Sequence, residues 1–175
     1  MQNLKIKGFR FSAGASGIKK SGKLDMGLIY STIPAHCAAV YTTNKVVAAS
    51  VVITRERLAG GCCQAILVNS GNANACTGQA GHEVALRTAE LAAAQLQIPV
   101  EAIAIASTGV IGQLLPIAPF ENTLPLLIAG LAEDQCAQVA EAIRTTDAYP
   151  KIATATGTSA GTPATLTTSR PRWNQ

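Results

Sequence analysis

The sequence predicts an α+β domain built of layered sheets and helices. Its 175 residues are 48% apolar, which is enough for one domain with a substantial core. Aromatic residues make up only 4% of the chain, so Ala, Val, Ile and Leu must supply the core volume. Short apolar runs of strand length accompany a long alanine-rich helical pattern, a combination typical of small-residue helices packed on sheets.

Composition and charge exclude several function classes. Charged residues are 14% of the chain and the formal net charge is +4, without a basic patch that would indicate a nucleic-acid partner. We expect no secretion signal, because Met1–Arg10 lacks a basic and then apolar segment, and no membrane span, because no apolar stretch has the required length. The five cysteines lack a CxxC spacing, which predicts reduced thiols in a cytoplasmic protein and no metal site.

Six stretches are predicted to be strands, because they are apolar or alternating runs bounded by Gly, Asn or Lys. They cover residues 6–11, 24–30, 36–41, 46–53, 64–68 and 103–106. Lys19, Lys20 and Lys23 follow the first strand and are interpreted as a solvated turn. His36 is interpreted as a strand or edge residue rather than a catalytic base.

Two helices are predicted with a clear periodicity. Residues 79–97 carry an alanine seam that stops before Pro99, and residues 131–144 carry one apolar face with acids in the first turn. Residues 120–129 are apolar but contain Pro125, so a broken or short helix is predicted there. From Thr154 onward, Thr, Ser, Gly, Ala and Pro dominate and no packed element is predicted.

Residues 107–112, here named the glycine loop, have the sequence Ser-Thr-Gly-Val-Ile-Gly and follow a buried strand. Gly109 and Gly112 permit a positive φ or a close backbone approach, so neighbouring N–H groups can converge on one point. Such an arrangement can stabilise an oxyanion. The competing interpretation is an ordinary turn at the end of a strand.

Two further loops carry polar side chains in unusual density. Residues 69–78, the asparagine loop, read Asn-Ser-Gly-Asn-Ala-Asn-Ala-Cys-Thr-Gly and favour a scaffolding role over direct ligand contact. Residues 144–147, the threonine segment, read Arg-Thr-Thr-Asp and lie close to Lys151 in the sequence. They can hold an amino-acid-like ligand, and a capped turn is the alternative.

Several separate segments, in the same order as in the family, resemble the ornithine acetyltransferase (glutamate N-acetyltransferase) family of arginine biosynthesis over roughly residues 6–156. They are Lys7-Gly8-Phe9, Ala13-Gly14, Gly17-Ile18-Lys19, Asp25, the run from Val68 to Gly78, the glycine loop, and Thr145-Thr146-Asp147. The asparagine loop is the longest and most unusual of these matches. The chain is therefore identified as resembling the α-chain portion of that family.

The resemblance implies a layered α+β fold of the type shared with self-cleaving aminopeptidases. It implies a precursor that cleaves itself before a threonine, which then carries acetyl from N-acetylornithine to glutamate. Thr108 and Gly109 fall on the family's oxyanion-hole positions, and Thr145 and Thr146 fall on its substrate-binding segment. No cofactor is expected, and use of acetyl-CoA as a donor stays open. The expected partner is a β chain, in a heterotetramer of two α and two β chains.

The chain departs from the family pattern after residue 156. The family continues with Lys-Gly-x-Gly-Met and then Asn-Met-Ala-Thr-Met-Leu, whereas no lysine follows Lys151 here, so the nucleophile is expected to be absent. We accordingly divide the chain into an α-chain portion, residues 1–156, and a divergent, disordered tail, residues 157–175, with truncation or frameshift as the hypothesis. The isolated chain is expected to be inactive. The alternatives are an inactive remnant and, more weakly, a self-cleaving aminopeptidase relative.

Overall fold

A four-stranded mixed sheet forms the centre of the fold. The computed structural model describes residues 4–159 and 162–169. The sheet strands, in spatial order, are β1 (Phe9–Gly14), β2 (Met26–His36), β3 (Cys62–Asn72) and β4 (Ile103–Val110). The helices are α1 (Ala49–Arg57), α2 (Gly78–Leu96), α3 (Ala118–Ala129) and α4 (Cys136–Ala142). The predicted α+β class is confirmed.

The strand directions bring the two polar loops together. β1, β2 and β3 are antiparallel neighbours, whereas β3 and β4 are parallel and are joined through α2. A parallel pair needs such a crossover, and its strands end at the same edge of the sheet. Ser70 therefore pairs with Thr108, and Gly71 pairs with Gly109. The asparagine loop and the glycine loop start side by side.

The sheet is covered on both faces. Leu67 belongs to a core cluster with residues of α1, α2 and α3, while the next residue, Val68, belongs to a second cluster with Cys136 and Val139 of α4. Because successive side chains of a strand point to opposite faces, α4 covers the face opposite to the other three helices. The result is three layers with the sheet in the middle.

Helix α2 confirms the prediction for residues 79–97. Ala85, Ala89 and Ala92 are buried at 1%, 0% and 0% exposure, and Gln97 ends the helix with a left-handed φ of 56°. The small side chains let the helix axis approach the sheet closely.

Across the described residues, we find no helix with both the length and the apolar character to cross a membrane.

Residues 46–53 were predicted to be a strand, and this is wrong, because α1 occupies residues 49–57. A short apolar run does not distinguish a strand from a buried helix turn. β4 is an edge strand, and the Thr54 hydroxyl of α1 accepts from the Ile105 N–H (2.9 Å) and donates to the Ile105 carbonyl (2.8 Å). Of the run predicted as a strand at 36–41, only His36 lies in one, exposed at the end of β2.

The helix predicted over 131–144 is shorter than expected, because α4 begins at Cys136. Ala132 instead exchanges two backbone hydrogen bonds with Phe11 of the edge strand β1, at 2.8 and 3.0 Å. Those bonds require an extended backbone at the start of the predicted helix. α3 is one helix of 12 residues with Pro125 inside it, so the predicted break does not occur.

Regular backbone structure is present after Thr154, where no packed element was predicted. β5 (Ile152–Ser159) and β6 (Thr162–Ser169) form a separate antiparallel pair. Alternation of β-branched Thr with Ala has the two-residue period of a strand, a signal that the small side chains obscured. The arginine-containing end at 170–175 lies outside the described residues, and the domain boundary at 156 stays a prediction.

Candidate active site

All four sequence-predicted site residues line one cavity of about 1020 Å³. Thr108 and Gly109 reach it from the end of β4, and Thr145 and Thr146 reach it from the chain that follows α4. The separation in sequence is large, so the fold brings the two pairs together. The volume is in the range that small-molecule sites occupy.

Gly109 allows two backbones to touch beneath the glycine loop. Its φ is +134°, and a Cβ there would lie 2.4 Å from the Gly71 carbonyl carbon and 2.6 Å from the Asn72 nitrogen. No larger residue fits without moving the end of β3. Gly112 also has a positive φ, of +80°, but a Cβ there would meet nothing within 4 Å.

Buried asparagines hold the glycine loop from below. Asn69 accepts a hydrogen bond from the Ser107 hydroxyl (2.7 Å) and donates to the Asn72 carbonyl (2.9 Å). Asn72 in turn donates to the Gln113 carbonyl (3.1 Å), one residue beyond the loop. Both ends of the glycine loop are thus hydrogen-bonded to side-chain amides of the asparagine loop. This hydrogen-bond network of the asparagine loop is here called the frame.

A third asparagine connects this frame to α2. Asn74, exposed at only 1%, donates to the Gly81 carbonyl (2.8 Å) and accepts from the Thr77 hydroxyl (2.9 Å). Its backbone N–H donates to the Asn72 side-chain oxygen (2.8 Å). The asparagine side chains are occupied by the protein itself, which supports scaffolding over ligand contact.

Thr108 lines the cavity. The side chain is half-buried, and in the part of the chain that the structure describes its hydroxyl has no hydrogen-bond partner. A hydroxyl that is not already engaged can donate a hydrogen bond to an oxyanion formed during acyl transfer. Thr145 and Thr146 are exposed and also line the cavity.

Charged side chains brace the threonine segment. Arg144 pairs with Glu141 at 2.5 Å and donates to the Asp147 carbonyl at 2.8 Å. Hydrogen bonding to Glu141 raises the pKa of the Arg144 guanidinium. Lys151 pairs with the Asp147 carboxylate and lies 5.8 Å from the centre of the Tyr149 ring. The segment is therefore held locally by ion pairs rather than by burial.

Lys19 is a site residue that the sequence analysis missed. It was interpreted with Lys20 and Lys23 as a solvated turn, but it is half-buried and lines the cavity. Burial lowers the pKa of its ammonium group. The signal available in the sequence was its place in the Gly17-Ile18-Lys19 match, since composition alone does not separate it from its lysine neighbours.

The described residues contain no cluster of three or more His, Cys, Asp or Glu side chains that could hold a metal ion. Cys63 and Cys136 are buried, and this burial raises the pKa of each thiol. Both therefore act as core side chains rather than as reactive thiolates.

Comparison with known proteins identifies relatives along most of the chain. The model of the ArgJ family matches residues 10–169. The arginine biosynthesis bifunctional protein ArgJ of Syntrophotalea carbinolica is 54% identical over 150 residues, which cover 86% of this chain and 38% of that protein. The ArgJ protein of Geobacter sulfurreducens is 48% identical over 163 residues, which cover 93% of this chain and 42% of that protein. The chain thus spans about two fifths of the length of these relatives.

Two solved structures share the fold. The ArgJ protein of Bacillus halodurans superposes with a TM-score of 0.89 at 34% identity, covering 97% of this chain and 91% of that one. The ornithine acetyltransferase of Mycobacterium tuberculosis, solved in complex with ornithine, superposes with a TM-score of 0.86 at 32% identity and covers 97% of this chain and 92% of that one. Sequence and fold agree along nearly the whole matched region, and this chain belongs to the ArgJ family.

Proposed function

We propose that this chain is the α part of an ornithine acetyltransferase, which transfers the acetyl group of N-acetylornithine to glutamate in arginine biosynthesis. The observation that carries the proposal is the common cavity of Thr108, Gly109, Thr145 and Thr146. Relatives that carry the arginine biosynthesis name support it. A cytoplasmic location belongs to the same proposal.

In this proposal a threonine of the β chain is the nucleophile. Its hydroxyl oxygen bonds to the acetyl carbon, its proton passes to its own free amine, and the carbonyl electrons move to the oxygen. The Thr108 hydroxyl and the backbone at Gly109 stabilise that oxyanion. The carbon–nitrogen bond then breaks and ornithine leaves with the proton. The glutamate amine nitrogen then bonds to the acetyl carbon, the ester carbon–oxygen bond breaks, and the proton lost by that amine passes through the threonine amine to the threonine oxygen, which restores the free hydroxyl.

The same proposal assigns substrate contact to the hydroxyls of Thr145 and Thr146. No resident cofactor takes part, and acetyl-CoA is a candidate second donor that would acylate the same threonine. The partner is the β chain, in an assembly of two α and two β chains. Alone, the chain transfers no acetyl group.

Co-expression tests the proposal. The chain is expressed with the part of the Syntrophotalea carbinolica ArgJ protein that follows the matched region, and acetyl transfer from N-acetylornithine to glutamate is measured. We expect turnover from the complex and none from either part alone. A parallel assay with acetyl-CoA in place of N-acetylornithine decides whether acetyl-CoA is also an acetyl donor. Assembly without any turnover would favour the inactive remnant, and turnover by the isolated chain would contradict the assignment of the nucleophile to the β chain.

A further inference from the structure

The loop between β1 and β2 is held in one conformation by a buried carboxylate. Asp25 is fully buried and accepts hydrogen bonds from the backbone N–H groups of Ser16 (2.6 Å) and Lys19 (2.7 Å). It also accepts from the Ser16 hydroxyl (2.8 Å). The backbone of Lys19 is therefore fixed, so its side chain starts from a defined point.

The Lys19 ammonium joins this loop to the end of α4. It donates to the carbonyls of Leu24 (3.0 Å), Ala142 (3.4 Å) and Arg144 (2.6 Å). The last carbonyls of a helix lack partners within the helix and favour a cation. An ammonium has three donors, so three carbonyls use its whole hydrogen-bonding capacity.

The neighbouring end of β3 takes part in the same junction. The Ser70 hydroxyl donates to the Ala142 carbonyl, the same atom that Lys19 contacts. A Cβ at Gly71 would lie 3.1 Å from the Lys19 side chain, so the lysine stem packs directly on the backbone of the asparagine loop. Lys19 thus connects the frame of the glycine loop to the threonine segment.

We propose that Lys19 is a positioning residue, which fixes the chain after α4 so that Thr145 and Thr146 line the same cavity as Thr108. This inference rests on the proposed function, because it deepens the role of the same cavity. Arg144, Asp147 and Lys151 brace the segment internally, whereas Lys19 anchors it to the sheet. Without that anchor, the threonine hydroxyls lose their fixed place relative to Thr108.

The test compares Lys19→Met with Lys20→Met in the complex with the β part. Lys20 is the exposed neighbour and serves as the matched control. For Lys19→Met we expect the KM for N-acetylornithine to rise about tenfold while kcat changes less than about threefold. Lys19→Arg keeps the charge and is expected to restore KM in part, to within about two- to threefold of the parent.

A second measurement does not depend on turnover. Hydrogen exchange of the amides of residues 143–149 is measured on the chain itself, and Lys19→Met is expected to speed it where Lys20→Met does not. If the parent complex shows no acetyl transfer, the proposed function fails and this exchange measurement still decides the role of Lys19.

Three results would overturn the inference. The first is a KM and an exchange rate for Lys19→Met equal to those of Lys20→Met. The second is a fall in kcat at unchanged KM, which would place Lys19 in the chemical step. If Lys19→Met does not fold, Lys19→Gln, which removes the charge but keeps a polar side chain, decides, and a parent-like KM together with parent-like exchange in Lys19→Gln is the third.

Discussion

The two walls of the cavity are built in different ways. The wall at the glycine loop rests on buried backbone and on asparagines that are at most 5% exposed, such as Asn69 and Asn72. The wall at the threonine segment is exposed and is braced by ion pairs, with Lys19 anchoring it. The first wall has the rigidity that an oxyanion site needs. The second is held by partly buried ion pairs and by the Lys19 ammonium, so its position depends on charged contacts rather than on packed backbone.

The largest expected effect on stability is at Gly109, where the ends of β3 and β4 lie in contact. Gly109→Ala places a Cβ 2.4 Å from the Gly71 carbonyl carbon and 2.6 Å from the Asn72 nitrogen, so we expect a loss of about 3 kcal/mol or more in the free energy of unfolding. Urea denaturation measures it. Gly112→Ala has the same need for a positive φ but open space around it, and should cost only about 1 kcal/mol. Equal losses would show that steric crowding at Gly109 is not the cause.

Thr108→Ala tests the chemistry of the same wall. In the assembled enzyme we expect kcat for acetyl transfer to fall by about a hundred- to a thousandfold, because a donor to the oxyanion is lost. Assembly and Tm should stay at the parent values, since the Thr108 hydroxyl has no partner among the described residues. Steady-state kinetics and a thermal scan measure the two. An unchanged kcat would remove Thr108 from the proposed mechanism.

Asn74→Ala tests the frame without touching the cavity. It removes the donor to the Gly81 carbonyl and leaves the Thr77 hydroxyl without its acceptor, so we expect a loss of about 1–3 kcal/mol in stability. The matched control is Asn44→Ala, an exposed asparagine whose side chain accepts a solvent-exposed hydrogen bond from the Val46 N–H (3.1 Å), and this change should alter stability by less than about 0.5 kcal/mol. A similar effect at both positions would mean that the buried network contributes little.

The smallest expected effect on stability is at the threonine segment, which forms the second wall of the cavity. Glu141→Gln removes the ion pair with Arg144, whose side chain is about a quarter exposed, and should lower Tm by only about 1–2 °C. The difference should shrink further in high salt, because screening weakens the parent pair. A large drop in Tm that persists at high salt would show that this wall is as rigid as the first.

The sequence predicted the parts of the molecule whose signals are local. α2 was predicted within one residue of its bounds because its seam of Ala85, Ala89, Ala92 and Leu96 keeps the helical period over about three turns. The glycine loop and the asparagine loop were found because their residue types are unusual in density. The predicted strand at 46–53 failed because its apolar run is too short to distinguish a strand from α1, and β4 supplied the contact that decided it.

The amino-acid sequence by itself determined the α+β class, the family resemblance and the four threonine and glycine positions of the candidate site. Only the tertiary structure decided that those positions share one cavity, because the parallel pairing of β3 and β4 and the position of α4 set their distances. The tertiary structure also distinguished the role of Lys19 from that of Lys20. Both lysines look alike in the sequence, and only the three carbonyls gathered from distant parts of the chain distinguish an anchor from a solvated side chain.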